Sequence, residues 1–468
     1  MTSTDPTGTL VADQLMNDPR VQQAEALLQA ALADARAKLN GVRRPRTELK
    51  ESYDQLIERL FSARGAATYF RYLGSGVGNG PWVELADGSV KLDFIVGIGV
   101  YGLGHNHPEM LSSSIRAALQ STIMQGNLQQ HVESLNVTEL LVKLARQDSE
   151  STLSHCLLTT SGAMANENAL KIAYHNRAPA DRVICLENCF AGRSIAMAQL
   201  TDRPQYRIGL PTALAVDYIP GPDAANSPET LERSLSALDA HLKRYPGKYA
   251  TLWLELVAGE GGYYPGSQGY FTKLIQRAKQ DNLLITFDEV QTFGRLSRPF
   301  AFQHFGLSQF ADIVSVGKIS QLCATLYGEP LKPKGPLLSQ TFTAATSAIS
   351  AAHVILQKMA SGQWYGPSGE NEKRHQYFRN KLEQLAAKYP TKISGPWGCG
   401  MMIAFTPGDG SAETAGRMVH ALYNAGLMSF VAGNKPARIR FLPPPGITQF
   451  EHIDAAVEIM DQVLSTFE

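Results

Sequence analysis

The sequence predicts an α/β protein. A large domain carries a mostly parallel central sheet covered by helices, a smaller α+β domain follows it, and a helical arm precedes it. Three observations carry this. Short apolar runs rich in Val, Ile and Leu alternate with helix-length amphipathic stretches between about residues 108 and 320, as expected of strands buried on both faces and joined by crossover helices. At 468 residues the chain exceeds what one hydrophobic core usually holds. Beyond about residue 360 the texture changes to a long polar helix, a glycine-rich strand and further helices. We set the arm at 1–80, the large domain with its leading hairpin segment at 81–360, and the small domain at 361–468.

In chain order, Val21 to Leu39 reads as a helix rich in Ala, Leu and Gln, and Leu49 to Arg64 as a second, stopped at Gly65. Their expected role is packing or subunit contact. Trp82 to Asp93 alternates around Asp87-Gly88, a hairpin signal. Strands are expected at His155–Thr159, Arg182–Leu186, Tyr249–Glu255, Leu283–Asp288 and Asp312–Val316, with helices at Ala165–Asn176, Pro228–Tyr245 and Gly269–Gln280. The small domain should hold a helix over Glu370–Lys388, a strand over Met401–Phe405 and a helix over Glu413–Ala425. Thr448 and Glu451 should form a capping box for the last helix.

Composition excludes several classes of function. Lys+Arg and Asp+Glu are both 43, and no local run of like charge appears, so nothing favours nucleic acid or an anionic membrane. Five cysteines, an odd number, and a polar start at Met1 to Arg20 lead us to expect reduced thiols in a cytoplasmic protein. The glycine-rich apolar run Phe94 to Leu103 is too short to span a bilayer. No His, Cys and Asp spacing suggests a metal site, and His105 and His107 read as structural.

The chemistry is concentrated at two strand ends. Asp288 closes one apolar run, and Lys318 follows another thirty residues later. Ligands of open α/β sheets lie at the carboxyl ends of strands. An amine and an acid placed there suit pyridoxal 5'-phosphate (PLP), whose aldehyde condenses with a lysine and whose ring nitrogen pairs with an acid. Ser161-Gly162-Ala163 opens a helix after a strand and could hold a phosphate. Phe190 could stack on a flat ring, and Arg193 could grip a carboxylate. Glu260, in a Gly-Glu-Gly-Gly turn, could mask Arg440 until a substrate carboxylate displaces it.

Over roughly residues 80 to 460 these segments resemble the class III, or omega-amino-acid, aminotransferases of PLP fold type I. The resemblance rests on Gly104-His105-Asn106-His107-Pro108, on Asp288-Glu289-Val290-Gln291-Thr292, and on Ala311-Asp312-Ile313 followed by Gly317-Lys318. It implies that Lys318 holds the cofactor and shuttles a proton at the substrate carbon, and that Asp288 keeps the ring nitrogen protonated. Gln291 would contact the ring's phenol oxygen and Phe190 its face. Ser161, Gly162 and Ala163 would serve the phosphate, with Thr341 arriving from a partner subunit in a homodimer. Arg193 and Arg440, the latter gated by Glu260, would take the two carboxylates of a dicarboxylic substrate. The implied reaction moves an amino group between a primary amine or diamino acid, at its omega position, and a 2-oxo acid such as 2-oxoglutarate. Tyr101, Gln129, Gln130 and Tyr263 are candidates for selecting the donor. Lys318-Ile319-Ser320-Gln321-Leu322-Cys323 is similar to the run after the lysine in lysine ε-aminotransferases, with Cys323 expected as a small buried residue.

The chain departs from the family pattern in places. Ala163 and Met164 replace a hydroxyl residue and an acid, Ala191 replaces a histidine, and Leu256-Val257-Ala258 replaces Pro-x-Gln. Gln291-Thr292-Phe293-Gly294-Arg295 lacks a glycine usual after the threonine, and Thr343-Ala344-Ala345-Thr346 replaces Gly-Gly-Asn-Pro. Two other readings use the same residues: a PLP-dependent aminomutase of the glutamate-semialdehyde type, and a non-catalytic homologue that keeps the fold.

Overall fold

The computed structural model describes residues 10–121, 124–147, 150–223 and 226–468. The first nine residues of the arm therefore lie outside the described residues. The centre is a seven-stranded sheet formed by β1 (Leu153–Thr159), β2 (Arg182–Leu186), β3 (Ala215–Ile219), β4 (Tyr249–Leu254), β5 (Leu284–Glu289), β6 (Ile313–Val316) and β7 (Cys323–Gly328). Its order is β1-β7-β6-β5-β4-β2-β3. Neighbours from β6 through β5, β4 and β2 to β3 are parallel, and β7 runs antiparallel to both β6 and β1. Every residue of β4, β5 and β6 is buried, which is why these strands read as unbroken apolar runs.

β3 and β7 were not expected. β3 is an edge strand, half-buried for most of its length, so it lacks the continuous apolar signature. β7 begins only five residues after Lys318, with no loop signal to announce it.

Helices occupy the expected segments: Gly162–Arg177, Pro228–Arg244 and Gln268–Gln280. Their serine caps set the starts, with Ser161, Ser227 and Ser267 each accepting the N–H of the third residue on. The arm supplies helices Pro19–Arg36 and Lys50–Arg64, the second ending at Gly65 in the left-handed conformation. Trp82–Leu85 and Val90–Asp93 pair as the expected hairpin, and Val90–Asp93 also pairs in parallel with Leu427–Met428. Toward the carboxyl end, the helices Glu370–Lys388 and Ala412–Ala425 flank an antiparallel sheet ordered Ile393–Cys399, Met402–Pro407, Arg438–Phe441, Phe430–Ala432.

The expected capping box is corrected by one residue. Thr448 donates its hydroxyl to the Pro444 carbonyl, and Gln449 is the cap of the Phe450–Thr466 helix. The His452 ring takes the Gln449 N–H in the place proposed for Glu451. The Thr448 hydroxyl is thus turned toward the preceding turn and not toward the helix start.

Candidate functional site

Three adjacent strands deliver acid, acid and amine to one edge of the sheet. Leu254 pairs with Phe287, so Glu255, just past β4, stands beside Asp288 on β5. Ser315 pairs with Asp288, and Lys318 follows two residues beyond β6. All three line one cavity of about 350 Å³, together with Gly162, Ala163, Asn166, Phe190, Glu260 and Gln291. That lies within the size range of small-ligand sites, roughly 300–1,000 Å³. A larger cleft of about 960 Å³ lies between the arm and the last helix and holds none of these groups.

Lys318 sits at φ 52, a left-handed conformation uncommon for a residue with a side chain. The same turn holds Gln321 at φ 62, whose side-chain amide donates to the Val100 carbonyl. Burial, then the nearby Arg440 charge, lower the Lys318 amine to about 8. Asp288 is held from two sides, with Val290 N–H on one oxygen at 3.1 Å and the Asn166 amide on the other at 2.7 Å. Asn166 also donates to the Ala191 carbonyl at 2.7 Å, tying the acid to the Phe190 loop. Glu255 accepts Phe190 N–H at 2.7 Å and Gly259 N–H at 3.0 Å. Burial pushes both acids up. At Glu255 the neighbouring Asp288 charge adds to the effect; at Asp288 the Val290 and Asn166 hydrogen bonds and Lys318 oppose it.

The phosphate-type segment is intact as backbone. Ser161 spends its hydroxyl on Met164 N–H at 3.2 Å. Gly162 and Ala163 are the first two residues of the helix, so their N–H groups lie outside its own ladder, and both line the cavity. A Cβ at Gly162 would come within 2.8 Å of the Val290 side chain, so only glycine lets the helix start approach β5 this closely. Ala163, which lacks the family's hydroxyl, still offers its backbone N–H at the helix start.

Glu260 and Arg440 form an ion pair. Arg440 is fully buried and also donates to the Gly259 carbonyl at 3.4 Å and Gln291 Oε1 at 3.3 Å. Burial alone would raise Glu260, but the Arg440 charge and hydrogen bond hold it below the ordinary range. Tyr263, at φ 60 and fully buried, packs with its ring centre 6.0 Å from the Arg440 guanidinium. Burial pushes the Cys323 thiol up to about 11, in keeping with a packed side chain and not a nucleophile.

Other sequence candidates stand apart. Arg193 is exposed and stacks on Tyr206, with 3.9 Å from guanidinium carbon to ring centre; it does not line the cavity. Tyr101 is 44% exposed, and Thr341, Gln129 and Gln130 are exposed as well. Thr341 belongs to a segment pressed against Gly126, where a Cβ would overlap the Thr341 carbonyl. His105 pairs with Asp93 at 3.0 Å, and His107 caps the helix that follows it. Asn166 and Glu255 are the groups that sequence reasoning did not assign. The only sequence trace of Glu255 is its position directly after an apolar run; Asn166 left none.

An enclosed amine, a buried acid, an aromatic ring and a helix start with free N–H groups, all on one cavity, fit PLP. Comparison with known proteins agrees. The family model for aminotransferase class-III matches residues 68–464, and the chain belongs to that family. It is 27% identical over 405 residues to the acetylornithine aminotransferase of Methanocaldococcus jannaschii, covering 83% of this chain and 92% of that one. The acetylornithine aminotransferase of Caldanaerobacter subterraneus subsp. tengcongensis is 28% identical over 85% of this chain and 96% of its own. Among solved structures, lysine aminotransferase from M. tuberculosis in the internal aldimine form aligns with a TM-score of 0.74 at 23% identity, covering 87% of this chain and 99% of that one. A Bacillus anthracis aminotransferase aligns with a TM-score of 0.78 at 18% identity, covering 90% and 99%. The fold is that of PLP fold type I, and the protein is a PLP-dependent class III transaminase. Among the described residues, no helix is long and apolar enough to cross a membrane, and no His/Cys/Asp/Glu group could hold a metal.

Proposed function

We propose that this enzyme moves the distal amino group of a diamino acid, or of its acylated derivative, to 2-oxoglutarate. The observation that carries this is the buried Arg440 paired with Glu260 at the wall of the Lys318 cavity. A donor entering amine-first meets the closed pair, which offers no free cation. A 2-oxo dicarboxylate needs a cation, and Glu260 yields Arg440 to it. The names of the relatives, acetylornithine and lysine aminotransferases, support this donor class.

PLP bound here supplies an electron sink for the carbon that bears the amino group. The chain's own residues do the rest. Lys318, with its amine lowered to about 8, holds a substantial neutral fraction near pH 7–8 and can accept and return the proton at that carbon. Asp288, its carboxylate fixed by Asn166 and Val290, would pair with the ring nitrogen. Gln291 would meet the phenol oxygen, Phe190 the ring face, and Ser161, Gly162 and Ala163 the phosphate. Arg193 takes the carboxylate at the far end of the substrate after leaving Tyr206. Tyr101 borders the donor. Thr341, absent from its own cavity lining, reaches the cavity of the partner in a homodimer. We place the enzyme in the cytoplasm, acting on small molecules and on neither nucleic acid nor membrane.

A screen of amine donors against 2-oxoglutarate and pyruvate, with products quantified, tests this. The expected result is transfer from an omega amine to 2-oxoglutarate. Rearrangement of an amino acid with no added acceptor would replace this reading with the aminomutase.

A further inference from the structure

A second cavity, of about 550 Å³, lies behind the first. Its lining includes Glu187, Asn188, Arg233 and Lys435, and the exposed Glu187 and Asn188 place it at the surface. Glu255 lines both cavities and, among the described residues, is the one common to their walls. A carboxyl shared by two compartments can take a proton on one side and give it on the other. We propose that Glu255 is the proton relay between this vestibule and Asp288, so that the cofactor's ring nitrogen exchanges its proton with water through the back wall and not through the substrate mouth. This rests on the reading of Asp288 given above.

Three features support the relay. The β4–β5 register makes Glu255 and Asp288 neighbours. Each Glu255 oxygen accepts one backbone N–H, from Phe190 or Gly259, which leaves each a further lone pair and holds the anion once the proton has gone. Burial beside a second acid lets Glu255 carry a proton near neutrality, where an exposed glutamate is ionised.

The charges around Glu255 are mixed. On the cofactor side stand Asp288, Glu260 and Lys318; on the vestibule side stand Glu187, Asp223, Arg233 and Lys435. The thiols of Cys185 and Cys189 lie beside it in the core. The exchange balances as one proton out and one in: Asp288 would take the ring nitrogen's proton and pass it to the Glu255 carboxylate, Glu255 would release it to vestibule water as hydronium, and the same chain run in reverse would return a proton from hydronium. No electrons move. Glu255 acts through Asp288 and is a positioning residue.

The test uses the holoenzyme loaded with PLP carrying ¹⁵N in its ring. Magnetic resonance follows exchange of the ring N–H with deuterated water. Glu255→Gln is expected to slow exchange at least ~10-fold with the ¹⁵N shift retained, and Glu255→Asp to restore it. Ala258→Leu, which fills the vestibule and alters no acid, is expected to slow exchange as well, and it carries the test if Glu255→Gln does not fold. Unchanged exchange in Glu255→Gln, or in Ala258→Leu where that variant carries the test, would overturn the relay. An Asp288→Asn enzyme that keeps a wild-type ring N–H signal would overturn the reading of Asp288 instead, so the two failures are distinguishable.

Discussion

The floor of the cavity and its rim are built on different principles. On the floor, Asp288 and Glu255 are buried on or directly after strands, and Lys318 sits two residues past one; backbone or Asn166 donors fix both acids. What we call the rim, the exposed candidates Arg193, Tyr101 and Thr341, lies outside the cavity lining, and Arg193 is parked on Tyr206. A floor set by strand register keeps its geometry whatever the substrate. A rim of exposed side chains can be rearranged by substrate or subunit. On the roles proposed above, the reaction type rests on the sheet, the acceptor is gated by the buried Glu260–Arg440 pair, and the far end of the substrate is left to the surface.

Substitutions should separate the two regions, from the largest expected effect to the smallest. Lys318→Ala removes the amine and should cut turnover by ~10⁴-fold or more, measured in single-turnover assays. Asp288→Asn keeps the shape and loses the charge; a fall of ~10²–10³-fold in turnover is expected, with cofactor affinity also weakened. Arg193→Gln should raise KM for the dicarboxylate ~10–100-fold and leave turnover with amine donor alone almost unchanged. If Arg193→Gln lowered the amine half-reaction as strongly as Asp288→Asn, the division between floor and rim would be wrong.

Two stability measurements sharpen the same comparison. Because folding lowers the Lys318 amine to about 8, the cofactor-free protein at pH 7 bears the cost of a charged amine in a mostly enclosed site. Lys318→Met should therefore stabilise it by about 2 kcal/mol, discounted for cavity water. The sign follows from a depressed lysine: the penalty is full below about 8 and vanishes as pH rises toward the unfolded value of 10.5. Denaturant titrations should show the gap between variant and wild type closing across that window. Ser161→Ala should cost only about 1 kcal/mol, the worth of one helix cap, with no change in KM for either substrate.

Much of the floor was legible in the sequence because it is local. A strand that is buried on both faces reads as an apolar run, and the residue closing it reads as its end; this located Asp288 and Lys318. Glu255 and Asn166 were not legible as partners of Asp288, because that depends on sheet order and on which turn of the Gly162–Arg177 helix crosses β5. Both are long-range facts with no local pattern. β3 escaped because an edge strand shares its faces with solvent. Thr448 was misread as a cap because a cap is decided by where the hydroxyl finds its acceptor, here Pro444. At the rim, Arg193 was identifiable by type and motif, but its resting place on Tyr206 depends on a stacking partner thirteen residues away.

The most direct check is chemical. Holoenzyme reduced with borohydride and digested should yield one modified peptide, with the cofactor's mass on Lys318. The same treatment of Asp288→Asn should give that peptide at lower occupancy. Cofactor mass on another lysine, with Lys318 unmodified in fully active enzyme, would contradict the account.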